Sequence, residues 1–178
     1  MRNAGIAAGA VLLASLVARL LVPGVSLYLE PHQVVKQWHV WQLVTWVPAG
    51  ASLTFVAHAL ITGFAVSRGA RITQWLGVTF IAGALTTLLG EMVPAVFSCT
   101  FTGAGVGAAV ALGSWAQQLE GPRRAAVMAL ALVPALLDVL VDGLYVLVPF
   151  GFAFFAFIVW VRVARRRLPE TGAGGVRA

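Results

Sequence analysis

Few side chains in this 178-residue chain could do chemistry, and two of them lie in long apolar runs. His58 is the one histidine in such a run, whereas His32 and His39 sit among aromatic and polar residues between Tyr28 and Trp41. A hydroxyl becomes a useful nucleophile only when a base takes its proton. A serine- or threonine-type hydrolase would therefore have to draw its base from His58. Asp138 and Asp142 are four residues apart, which places both carboxylates on one helix face. With Arg124 at a boundary, a rise of 1.5 Å per residue puts Asp138 roughly 21 Å across the apolar layer and Asp142 near its far surface. Asp142-Gly143 reads as a turn. Asp138 reads either as bonded to a hydroxyl or imidazole or as part of a proton or ion site, and Glu91, ahead of Pro94, belongs near the same boundary. A lone cysteine, Cys99, forbids an intrachain disulfide and reads as a small buried hydrophobe. No spacing of ligands specifies a metal, and no cofactor is expected.

The elements that must position these residues follow from composition. Hydrophobic residues make up 60% of the chain and charged residues 10%, with a mean hydropathy of +0.92. A soluble domain carries about a quarter charged residues, and one of this size cannot hide so much apolar side chain from water. The expected solvent is a lipid bilayer. The 12 basic residues, all arginine except Lys36, form no basic stripe with interleaved aromatics, so nucleic acid is not an expected partner. The preference for arginine together with abundant alanine, glycine and valine suggests a bacterial cytoplasmic (inner) membrane.

At about 20 apolar residues per crossing, the chain divides into six spans at about 4–22, 43–66, 75–97, 101–115, 125–141 and 144–161. The first run lacks a small-x-small cleavage site before Arg19 and is read as a span, not a signal peptide. Residues 25–42 mix aromatic and polar groups in the manner of a headgroup-level loop. Ser67-Arg68-Gly69-Ala70-Arg71 and Glu120-Gly121-Pro122-Arg123-Arg124 are turns, and 168–178 reads as a disordered tail after a single membrane domain over 1–167. Six spans would leave Arg2, Arg68, Arg71, Arg123, Arg124, Arg162, Arg165, Arg166, Arg167 and Arg177 on one side and Lys36 on the other. That asymmetry predicts both termini in the cytoplasm. Gly103, Gly105 and Gly107 make the fourth helix thin, which suits a central position.

The chain from Tyr28 onward resembles the rhomboid family of intramembrane serine proteases. The family enters its second span through a Trp-Arg-Leu-Thr-type segment, and this chain reads Trp41-Gln42-Leu43-Val44-Thr45. The family's Gly-x-x-His-x-x-x-Asn pattern falls on 51–58, with Thr54 at the histidine position and His58 at the asparagine position. Gly-x-Ser-Gly with a further glycine matches Thr100-Phe101-Thr102-Gly103 and Gly107, so Thr102 takes the nucleophile position. In the sixth span the base histidine and its following glycine correspond to Val148 and Gly151. The departures fall on the catalytic groups while the frame persists.

The resemblance therefore implies an all-α, six-helix rhomboid-like bundle without protease activity. Its vestigial cleft would comprise Trp41, Gln42, Thr54, His58, Thr102, Gly103, Val148 and Gly151. It also implies a lateral opening between the second and fifth spans through which transmembrane helices of client proteins are bound. Two alternatives stand beside it. One is an active endopeptidase with Thr102 as nucleophile and His58 as base; the other is a small transporter or channel using Asp138, His58 and Glu91.

Overall fold

The computed structural model describes residues 28–46, 53–93 and 101–167, together with Ile6, Ala10, Leu13 and Val17. Those four are helical and exposed. The rest of the 4–22 run, Cys99, Thr100, Pro94 and the 168–178 tail lie outside the described residues, as do the Glu91 side chain and the arginines at positions 2 and 177.

Among the described residues every regular element is helical, apart from one isolated bridge between Leu29 and Phe101. The elements are α1 (Pro31–Lys36), α2 (Gln42–Thr45), α3 (Leu53–Ser67), α4 (Ile72–Met92), α5 (Ala104–Ala116), α6 (Gly121–Leu130) and α7 (Val133–Asp142). A 3₁₀ turn over Leu144–Val146 then leads into α8 (Leu147–Arg167). Three stretches are long and apolar enough to cross a membrane: Ile72–Gly90, Gly121–Asp142 and Leu144–Ala164. The apolar stretches Thr54–Ser67 and Ala104–Ala116 are shorter than the roughly 20 residues a full crossing needs.

Several boundaries differ from those read in the sequence. Residues 25–42 are not a plain loop where described, because Pro31 supplies a pre-set first helical residue and α1 and α2 form within 28–46. Within 43–66, α2 ends at Thr45 with Trp46 in a turn, and α3 covers Leu53–Ser67; residues 47–52 lie outside the described residues. The fifth stretch breaks after Leu130. Pro134 lacks an N–H and its ring crowds the carbonyl four residues back, so 131–132 form a turn and α7 starts afresh. Asp142-Gly143 is the expected turn, with Gly143 at φ +95, a left-handed conformation open to glycine.

The thin helix is central. All of α5 except Ala109 and Trp115 is buried, and glycines let its neighbours approach. The Trp75 indole on α4 donates to the Gly107 carbonyl at 2.9 Å, and the Phe157 ring on α8 packs at Gly113. A glycine on α4 does the same for α8, with the Trp160 ring lying over Gly77. Such close approach is how helices associate where lipid removes the hydrophobic drive.

Backbone and polar contacts fix the two ends of the bundle. At one end Gln118 donates to the Gly69 carbonyl, and Ser114 accepts from the Arg71 N–H and donates to Gln74, each at 2.9 Å. The turns carrying Arg68 and Arg71 and preceding Arg123 and Arg124 therefore meet. At the other end Leu29 and Phe101 exchange two backbone hydrogen bonds of 3.0 and 2.9 Å, and Gly103 N–H donates to the Trp46 carbonyl at 2.8 Å. Lys36 belongs to that end.

Candidate functional site

The deepest polar contact lies where α3, α5 and α7 converge. His58 from α3 places Nε2 3.5 Å from Asp138 Oδ1 on α7, and both side chains are almost fully buried, at 2% and 4% exposure. The carbonyl of Pro134, one turn before Asp138, is the imidazole's hydrogen-bond partner. Nε2 itself has no hydrogen bond, so its approach to Asp138 is a close polar contact short of a formed bond.

Gly105 makes the site possible. A Cβ there would stand 2.0 Å from Asp138 Oδ2 and 2.9 Å from its Cγ. The carboxyl group thus occupies a notch that any side chain on α5 would fill. A carboxyl group inside a span is costly unless it faces protein and finds a partner. The notch and the imidazole provide both. Asp138 thus meets an imidazole without a hydrogen bond forming between them.

The residues of the proposed cleft separate into distinct places. Gln42 is fully buried and belongs to a network in the α1–α2 segment. Its Oε1 accepts from the Glu30 N–H at 3.1 Å, and its Nε2 donates to Gln33 Oε1 at 2.8 Å. Gln33 Nε2 donates in turn to Glu30 Oε2 at 2.7 Å, while His39 Nδ1 lies 3.1 Å from Gln33 Oε1. Trp41 is 40% exposed, with its ring 4.3 Å from that of His39. His32 is exposed.

Thr102 and Thr54 are half-buried, and Gly103 is held by its bond to Trp46. Val148 packs on the apolar cluster around Leu29 and Phe101. Gly151 is exposed, lines a groove among α5, α6, α7 and α8, and has open space where a Cβ would stand. Among the described residues no three histidine, cysteine or carboxylate side chains gather as metal ligands.

Comparison with protein-family models, with curated proteins and with solved structures finds no match. The geometry and the sequence motifs therefore carry any functional reading by themselves.

The sequence reading placed His58 and Asp138 together only in the transporter alternative and left Asp138's partner open between a hydroxyl and an imidazole; it did not single out Gly105 as the residue that admits the carboxyl group. A readable signal was present, namely a glycine-thinned helix and an aspartate deep in another span. The Gln33 hub carried no signal, because its partners are 3 to 9 residues away in a segment without periodicity.

Proposed function

We propose that this chain is a rhomboid-like integral membrane protein of the bacterial inner membrane, without protease activity, that binds transmembrane segments of client proteins. In this reading it has six spans and both termini in the cytoplasm. The segregation of Arg68, Arg71, Arg123 and Arg124 at one end of the bundle, away from Lys36, supports that orientation through the positive-inside rule.

One observation carries the functional reading: the His58–Asp138 contact joins α3 to a span that α3 otherwise barely touches. Between Gly121 and Asp142 only Val127, Pro134 and Asp138 are buried. A helix with so few buried side chains and so little contact with α3 can part from α3, and parting exposes an imidazole and a carboxyl group at membrane depth. A client helix with a hydroxyl or amide there gains partners that lipid cannot provide. The same contact argues against a protease. His58 Nε2 lies 3.5 Å from Asp138 Oδ1 and, among the described residues, makes no hydrogen bond to a hydroxyl, Thr102 included.

The test is co-purification of a single-span reporter helix carrying one central asparagine. Asp138→Asn and His58→Ala should each lower its recovery several-fold while the all-leucine reporter stays unbound. Equal recovery by wild type and both variants would refute client binding at this contact. Labelling by a fluorophosphonate probe that disappears in Thr102→Ala would instead establish the protease reading.

The buried pair also suits a proton- or cation-coupled transporter, since ionisable groups inside spans mark ion paths. Flux into vesicles that Asp138→Asn abolishes supports that second reading, and no flux with the wild-type protein removes it.

A further inference from the structure

We propose that the groove bounded by α5, α6, α7 and α8 is a binding site for one acyl chain of an anionic phospholipid, whose headgroup is held by Arg123 and Arg124. The groove exists because small residues face one another there: Ala109 and Gly113 on α5, Ala131 and Ala135 at the α6–α7 break, and Gly151 and Ala153 on α8. Its volume is about 390 Å³. Along α8 it runs from Leu147 to Phe157, a rise of about 15 Å. That length and its apolar lining suit an extended hydrocarbon chain.

Depth and charge agree with that occupant. Met128, a lining residue, lies one turn beyond Arg124 on the same face of α6. The groove thus begins about 6 Å below the arginines and reaches Ala135 at about 16 Å, the depth of one leaflet of a core roughly 30 Å thick. Arg162, on the far wall, follows Phe157 by five residues toward the same end of the bundle. Arg123, Arg124 and Arg162 are exposed and, among the described residues, make no ion pair. Glu120 is the one carboxylate beside them in sequence. Basic rims above apolar clefts between spans retain anionic lipids, because chain and phosphate are satisfied together.

This inference stands apart from client binding, since the groove contains neither His58 nor Asp138. The experiment is native mass spectrometry of the full chain, delipidated in detergent and offered equal dioleoylphosphatidylglycerol and dioleoylphosphatidylcholine. Wild type should retain one lipid, favouring phosphatidylglycerol by about thirtyfold, the scale two arginines near an anionic headgroup supply. Paired Arg123→Gln and Arg124→Gln should abolish the preference while one lipid is still retained. Gly151→Leu, which projects into open space and leaves the core untouched, should reduce retention of both lipids. Equal retention of the two lipids by wild type, undiminished retention by Gly151→Leu, or displacement of the lipid by a transmembrane peptide would each overturn the proposal.

Discussion

The α4–α5–α8 side of the molecule and the α6–α7 arm are both apolar, yet they are held by different means. On the first side aromatic rings sit directly on glycine backbone: Trp160 on Gly77, Phe157 on Gly113, and Trp75 bonded to the Gly107 carbonyl. On the second, Leu130, Leu132, Leu136, Leu140 and Val141 are exposed, and only Val127, Pro134 and Asp138 are buried. Apolar content alone therefore does not decide how firmly a span is fixed in a bilayer. Lipid satisfies an isoleucine or leucine as well as protein does, so closeness of approach and polar pairing decide.

Four substitutions probe that contrast. Gly77→Ala has the largest expected effect, because its Cβ would stand 2.6 and 2.8 Å from Trp160 ring atoms. Overpacking of this kind costs about 3 kcal/mol, read as loss of stability to denaturing detergent, with partial rescue by Trp160→Phe. Gln42→Ala removes the acceptor of the Glu30 N–H and a donor to Gln33 in a fully buried position. It should cost about 2 kcal/mol by the same assay.

Gly105→Ala sharpens the comparison most. Its geometric conflict with Asp138 is the tighter of the two glycine sites, yet the loosely held arm can swing outward. The expected cost is about 1 kcal/mol, the low end for overpacking. A loss equal to that of Gly77→Ala would show that the arm is as firmly fixed as the rest. His58→Ala should cost about 0.6 kcal/mol, the usual worth of one polar contact between helices of a membrane protein. A loss several times larger would make the contact the main restraint on the arm.

Much of the helical frame could be read from hydropathy and punctuation. The turn at Asp142-Gly143 and the central position of α5 follow from local chemistry: an aspartate-glycine pair, and three glycines on one short helix. The break after Leu130 was also open to inspection, because Pro134 stands in the middle of the apolar run, but a hydropathy average passes over a single missing N–H. The short helices α1 and α2 have too few residues to show a period. The His58–Asp138 encounter was hidden for a different reason. It depends on the relative rotation and depth of two helices eighty residues apart, and neither sequence segment specifies those alone.

The hub at Gln33 settles the protonation pattern of a neighbouring ring. Because Gln33 Nε2 donates to Glu30, its Oε1 must face Gln42 and His39, and an amide oxygen can only accept. His39 must therefore carry a hydrogen on Nδ1. In its neutral form Nε2 is then left bare, a lone pair beside the Trp41 ring at the polar margin of the protein, suited to receiving a hydrogen from water or from a lipid amine. The tautomer of one surface histidine is thus set by a glutamate nine residues away that it does not need to touch.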